Sequence, residues 1–410
     1  MNLTNCRMCH SKNINMFLDL GHHPPSDEFR KAERLHEGIP HYPLQTVICE
    51  DCGLVQLNYV VPGEILYQND YPYESSMTKT GKIHFTEFGN SVTELFKLGG
   101  NDLVIDVGSN VGVLLEAFKN AGTRILGVDP APNICEIANK GGIPTMNAFF
   151  NEKTAEKVLA EHGPASVITG SNVFAHIHDL DDFMRGIKKL LVPNKGVMII
   201  EAPHLLHLIE NLEYDTIYHE HYSYISIEPL IPFVEKFGME LIRVDQKDIH
   251  GGSIRFYVSG KGNYPVHESV GKVLAAEKKA KIRDINTLKE FALRVEKNRQ
   301  DLRILIAKLK SEGKRVVAVS APAKGMTLLN YVKLGRESLD YVTEKSMLKI
   351  GRFTPGDNVP VYPDSKLMED KPDYALLLAW NFSAEIIKNL SEYQKAGGKF
   401  IIPIPEPKIV

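Results

Sequence analysis

The chain has 410 residues, too many for one hydrophobic core, so two or three domains are expected. Apolar residues make up 43% and charged residues 24%, a globular balance, and 48 basic against 51 acidic side chains leave a formal charge of -3, which argues against a dedicated nucleic-acid or membrane surface. No apolar run reaches transmembrane length, the opening MNLTNCRMCHSKN lacks a signal-peptide core, and five cysteines are too few for a disulfide scaffold, so a cytoplasmic setting is expected.

The first segment carries four of the five cysteines in two CxxC pairs, Cys6 with Cys9 and Cys49 with Cys52. Paired thiolates at this spacing, each near a turn, suit a closed tetrahedral zinc site, and Gly53 suits the tight turn of the second knuckle. A segment of this size buries little apolar surface alone, so a structural metal clip has a physical reason. Four thiolates leave no open position for metal catalysis. Residues 1–68 are read as this module. The fifth cysteine, Cys135, falls in an expected helix as a small apolar residue. Next comes YPYESSMT, where Tyr71, Tyr73, Ser75 and Ser76 are placed to close over a substrate.

LVIDVGSNVGVLLEAF reads as strand, glycine bend and helix, opening a cofactor domain over residues 69–245. Gly108 and Gly112 flank Ser109, Asn110 and Val111, and Asp106 stands just before the bend. A dinucleotide fold prefers GxGxxG. A carboxylate at Asp106 suits a cationic amino-acid group better than a pyrophosphate, which favours S-adenosylmethionine over NAD. The next strand, RILGVDPA, ends in Asp129, placed to accept from the two ribose hydroxyls. Phe149 and Phe150 read equally well as an adenine wall or as core; Phe150 is taken as the cofactor contact. SVITGSNVFAHIHDLDDF puts Asn172, His176 and His178 just beyond a strand's carboxyl end, where open α/β sheets bind ligands.

IYHEHYSYISIEPL crowds Tyr218, His219, Glu220, His221, Tyr222 and Tyr224 into seven positions. A core does not bury such groups without partners. A histidine beside a carboxylate makes a general base near neutral pH, and tyrosines can hold an oxyanion. The competing reading is a polar surface loop. This is not HExxH, so no zinc protease is implied.

DIHGGSIRFYVSG opens residues 246–410 as a glycine bend and a strand, followed by a charged helical stretch to about Gly313. KRVVAVSAPAKGMTLLNYV is a second strand, turn and helix, with Lys324 and Gly325 placed for a ligand phosphate. ALLLAWNFSAEII and KFIIPIPEPKIV complete a second α/β unit.

In combination and order, Cys6/Cys9 with Cys49/Cys52, YPYESS, DVGSNVG, NVFAHIHD, YHEHYSY, HGGSIRFY, APAKGMTLLNY and PIPEP resemble the S-adenosylmethionine-dependent sugar C-methyltransferases. That family acts on nucleotide-linked 4-keto-deoxysugars. The resemblance spans nearly the whole chain and implies an α/β protein in three parts: a zinc module, a Rossmann-like methyltransferase domain and a second Rossmann-like domain that helps hold the nucleotide-sugar. It implies that Tyr73, His176, Tyr218, Glu220 and His221 form the catalytic cluster. The family often has glutamate where Asp106 stands, and several relatives lack a histidine at the position of His178.

Carbon becomes nucleophilic once a proton beside a ketone is removed and its charge spreads onto oxygen. The resemblance thus implies that His221 takes the C3 proton, Glu220 orients and charges it, and Tyr218, Tyr73 and His176 hold the enolate or sugar hydroxyls. The carbanion then attacks the sulfonium methyl. An O- or N-methyltransferase would need no enolate cluster. A nicotinamide oxidoreductase would need the missing glycine fingerprint, and a zinc-bearing scaffold would leave the polar cluster unexplained. The sugar, its nucleotide and the oligomeric state are not encoded in these motifs.

Overall fold

The computed structural model describes residues 2–67, 72, 79–249 and 251–410. Three antiparallel strands, β1 (Ile14–His23), β2 (Tyr42–Cys49) and β3 (Val55–Leu57), form the amino-terminal sheet. Its two CxxC turns are alike. The N–H of His10 returns to the Cys6 carbonyl at 3.0 Å, and the N–H of Gly53 to the Cys49 carbonyl at 2.8 Å. Each donor sits at positive φ, 62° for His10 and 87° for Gly53, so the second knuckle uses the residue that adopts this conformation without strain.

The central domain opens with β4 (Leu103–Val107), β5 (Arg124–Asp129), β6 (Thr145–Asn147), β7 (Val167–Ser171) and β8 (Val197–Pro203), all parallel. A two-residue strand, β9 (Ser223–Tyr224), leaves this domain and pairs with β3 of the amino-terminal sheet. β10 (Met239–Lys247) and β11 (Ser253–Gly260) complete the central sheet in the order β10-β11-β8-β7-β4-β5-β6, with β11 antiparallel to both neighbours. A division after residue 245 therefore cuts through β10 and separates β11 from the sheet it pairs with, so the central sheet runs to Gly260. All five residues of β4 are buried, as befits a strand with helices on both faces. Strand order reverses around β4, which opens a crevice beyond its carboxyl end.

Helices Glu268–Ala280 and Ile285–Ser311 lead to a third sheet: β12 (Val316–Val319), β13 (Val342–Glu344), β14 (Val361–Pro363), β15 (Tyr374–Leu377), β16 (Lys399–Ile402) and β17 (Lys408–Ile409). Its order is β14-β13-β12-β15-β16-β17, parallel except for β17. One apolar core joins Ile48 and Val55 of the module to Phe291 and Val295 of the long helix and to Leu328 and Val342 of the third unit. The outer parts thus pack against each other as well as against the middle. Among the described residues no helix is long and apolar enough to cross a membrane.

Candidate active site

A cavity of about 590 Å³ lies where the three parts meet. One end is the crevice beyond β4. There Gly108 has φ 66° and Gly112 φ 85°. A Cβ on Gly108 would stand 2.7 Å from Val173 Cγ2, and one on Gly112 would stand 2.6 Å from Ile143 Cγ2, so both glycines are required by conformation and by space. Asn110 also takes a positive φ of 51° and turns its N–H to Asp129 Oδ2 at 2.9 Å. The N–H of Ala131 bonds the other oxygen of Asp129, also at 2.9 Å. Two fixed bonds aim that carboxylate, and each oxygen keeps a second lone pair for a ribose hydroxyl.

Asp106 is 4% exposed and accepts from Thr169 Oγ1 at 2.7 Å. Burial, helped by the charge of Asp129, pushes its carboxyl up to about 7. Ser109 Oγ, Ser171 Oγ and Asn172 Oδ1 are buried without hydrogen-bond partners among the described residues, and all three residues line the cavity. Buried polar atoms are rarely left this way, so the crevice fits a polar ligand. S-adenosylmethionine meets its chemistry: an acid at Asp106 for the amino-acid ammonium, Asp129 for the ribose, and Phe149 with Phe150 as apolar wall. Phe150 also packs edge-on against Phe183, so it both lines the cavity and belongs to the core.

The opposite wall carries the histidines. His176 Nδ1 lies 3.0 Å from the Tyr67 hydroxyl, whose ring stacks on it. His176 Nε2 is buried and has no partner among the described residues. Burial, with the neighbouring His221, holds this imidazole well below its usual range, so it stays neutral and can donate one N–H. The His221 ring centroid is 4.9 Å away. His221 Nδ1 meets the Thr216 carbonyl at 2.7 Å and Nε2 meets the Tyr218 hydroxyl at 2.9 Å. A carbonyl only accepts, so Nδ1 carries the proton in this arrangement and Nε2 presents a basic lone pair. The Thr216 backbone thus makes one orienting contact to the His221 ring. Glu220, 2% exposed, lines the same wall, and its charge helps to raise the Tyr67 and Tyr222 hydroxyls.

The remaining positions divide. His178 lines the cavity. Tyr222 reaches its wall, yet its hydroxyl is spent on the Val61 carbonyl at 2.8 Å, so it braces the module. Tyr224 does not face the cavity: β9 alternation turns it into the module core beside Ile217 and Phe291. Lys324 lines the third unit's lip, 3.6 Å from Asp215 Oδ2 and 4.2 Å above the Trp380 ring. Gly325 lies in helix Ala323–Val332 rather than in a loop. Its missing Cβ leaves room for Leu378, whose Cβ would stand 2.7 Å away, so helix–sheet packing rather than phosphate contact explains this glycine. Tyr71, Tyr73, Ser75 and Ser76 lie outside the described residues.

Sequence reasoning missed Tyr67, Thr216, Asp215 and Asp27, all of which touch the site or line it. Tyr67, Asp215 and Asp27 are single polar residues whose partners come from far along the chain, whereas Thr216 acts through its backbone carbonyl on His221, five residues on. The nearest signal was their closeness to YPYESS, YHEHYSY or the first knuckle.

Among the described residues, the metal-ligand cluster is that of Cys6, Cys9, Cys49 and Cys52, with all four Sγ atoms within 4.8 Å of one another. Cys6 to Cys52 and Cys9 to Cys49 are each 3.5 Å. Zn–S bonds of about 2.3 Å in a tetrahedron require sulfur spacings of about 3.8 Å, so the set fits a closed structural zinc.

Family comparisons match three parts: a zinc binding domain over residues 6–67, a methyltransferase domain over 84–244 and a C-methyltransferase C-terminal domain over 248–405, so the family boundary falls where the sequence divides the chain, ahead of β11, which sheet pairing joins to the central strands. The C-methyltransferase NovU of Streptomyces niveus is 34% identical over 406 residues, 99% of this chain and 96% of that protein. A ubiquinone biosynthesis O-methyltransferase of Azorhizobium caulinodans is 29% identical over 116 residues, only 28% of this chain and 45% of that one. Among solved structures, an S-adenosylmethionine-dependent methyltransferase from Clostridium acetobutylicum is similar over 46% of this chain and 94% of its own, with 14% identity and a TM-score of 0.36. The full-length match, carried through all three parts, shows that this chain belongs to the S-adenosylmethionine-dependent C-methyltransferase family.

Proposed function

We propose that the protein methylates C3 of a nucleotide-linked 4-keto-deoxysugar through an enolate. The observation that carries this reading is the pair of facing imidazoles, His176 and His221, in one cavity with the β4 crevice. An oxygen or nitrogen acceptor needs a base. A carbon acceptor needs a base and a second group to hold the charge that moves onto oxygen.

His221 Nε2 takes the C3 proton, while Nδ1–H stays on the Thr216 carbonyl and fixes the ring. The negative charge of Glu220 favours the imidazolium that forms. His176, kept neutral and fixed by Tyr67, donates Nε2–H to the oxyanion at C4. Tyr218 shares its hydroxyl with His221 and yields to the substrate. Tyr73 keeps its role on the resemblance alone. S-adenosylmethionine, when bound, supplies the methyl group as an electrophilic sulfonium carbon. Much of the acceleration then comes from positioning. The nucleotide is assigned to the third unit's lip, where Lys324 and the amino terminus of helix Ala323–Val332 suit a diphosphate. A cytoplasmic setting, where thiols stay reduced, suits the four-cysteine site.

The test is exchange of the C3 proton into deuterated water, with a thymidine-diphosphate-linked 4-keto-6-deoxyhexose and S-adenosylhomocysteine present. The wild type should exchange it. His221→Ala should lose exchange and methylation by about a thousandfold while S-adenosylhomocysteine affinity stays within about threefold. Methyl transfer to oxygen without exchange, or joint loss of cofactor binding, would overturn the reading.

A further inference from the structure

The first knuckle holds an arginine between its two cysteines. Arg7 is 9% exposed, and its guanidinium turns away from solvent into the central domain. Nη2 donates to the carbonyl oxygen of Ile177 and, at 2.7 Å, to that of His178. Nη1 donates to Ser223 Oγ at 2.5 Å. The guanidinium carbon lies 5.2 Å from the centroid of the Tyr222 ring. These acceptors belong to two segments only. Ile177 and His178 directly follow His176; Tyr222 and Ser223 directly follow His221. The two segments also meet through the Tyr222 N–H and the Ala175 carbonyl at 2.8 Å.

We propose that Arg7 is a positioning residue, through which the zinc knuckle fixes the relative placement of His176 and His221. This rests on the catalytic reading of those histidines. Three features of the chemistry carry it. A planar guanidinium offers donors in several fixed directions at once, so it holds two carbonyls and a hydroxyl together; an ammonium does this with no fixed plane. A buried cation costs free energy unless compensated, and four thiolates around a divalent ion leave a net double negative charge beside it. The knuckle geometry then limits where Arg7 can reach, because Cys6 and Cys9 both belong to the clip. Through Arg7, which does not itself line the cavity, the zinc knuckle is thereby part of the catalytic apparatus.

The experiment uses the full-length protein as Arg7→Met and Arg7→Lys, with His221→Ala alongside. Zinc content, S-adenosylhomocysteine affinity, C3 proton exchange and kcat against KM are measured with the thymidine-diphosphate-linked 4-keto-6-deoxyhexose. Arg7→Met should keep zinc and cofactor affinity, keep KM within about threefold and lose about a hundredfold in both exchange and kcat. Arg7→Lys should lie between it and the wild type. An Arg7→Met protein with kcat within twofold of wild type overturns the proposal. So does loss of zinc or cofactor binding in both variants, since that marks a merely structural arginine. An active His221→Ala protein would instead sink the catalytic reading itself.

Discussion

Two strand–turn–helix units face each other across the cavity. In the first, β4 runs through the Gly108–Gly112 bend into helix Val113–Asn120; in the second, β12 runs through Ser320–Pro322 into helix Ala323–Val332. Both strands are wholly buried and lie in the interior of their sheets, and both turns use positive φ, 66° at Gly108 and 69° at Ser320. They differ in charge. The first holds a buried acid, Asp106, with no basic side chain paired to it among the described residues. Two cations stand at the second, each already matched: Lys324 of its own helix by Asp215, and Lys349, which reaches the Ala321 carbonyl of the turn at 2.8 Å, by Asp27 from the amino-terminal module at 3.1 Å. Topology supplies the same crevice twice, and on the proposed reading the sign of the nearby charge selects the ligand. An unmatched acid waits for a cationic group; a matched lysine can trade a carboxylate for a phosphate.

The sharpest way to break this contrast is Asp106→Asn. The amide still accepts from Thr169 but carries no charge. A charge-assisted bond to an ammonium is worth about 1.5–3 kcal/mol, so S-adenosylhomocysteine should bind about a hundredfold more weakly in calorimetry. Thymidine diphosphate should bind as before. The cofactor-free protein should melt at a higher temperature at pH 8, because an acid pushed up to about 7 by burial destabilises the fold once ionised. Weaker binding with a lower melting temperature would mean a fold defect instead.

Lys324→Gln probes the other turn. Thymidine diphosphate should bind about thirtyfold more weakly, with S-adenosylhomocysteine unaffected. The change also strands Asp215, which is fully buried and accepts the Trp380 Nε1–H bond at 2.7 Å. Breaking a buried pair costs about 3–5 kcal/mol, so the melting temperature should fall. Adding Asp215→Asn should restore much of the stability and none of the diphosphate affinity. Recovery of both would show that Lys324 braces the fold and does not hold phosphate.

The same contrast explains what the sequence made legible. Contiguous signals read true: the paired cysteines, the strand–glycine–helix run at Val104–Gly112, and the order of apolar segments, since each is set by local chemistry and periodicity. Positions whose meaning depends on distant partners did not read. Tyr224 was grouped with its neighbours by proximity, although strand alternation turns it into the module core. Gly325 looked like turn chemistry, but its smallness is demanded by Leu378, more than fifty residues on. β11 looked like the start of a new unit because a glycine pair precedes it, and only sheet pairing assigns it to the central domain. Arg7 hid inside a metal motif, where attention goes to the ligands.

The smallest expected effect is the most direct reading of Asp106. In the free protein its carboxyl is pushed up to about 7 by burial, whereas in an unfolded chain it titrates near the usual carboxylate value. Its contribution to stability is therefore greatest below the unfolded value and is lost as pH rises through about 7. A bound ammonium favours the ionised form and pulls the value back down. Cofactor binding near pH 6 should then release close to one proton, and near pH 8 almost none. Calorimetry in buffers of different ionisation enthalpy measures this count directly. S-adenosylhomocysteine affinity should rise roughly tenfold between pH 6 and pH 8. In Asp106→Asn both the proton release and the rise should vanish. A proton count near zero at pH 6 in the wild type would mean that the acid is already ionised, and that the first turn, like the second, carries a charge matched before its ligand arrives.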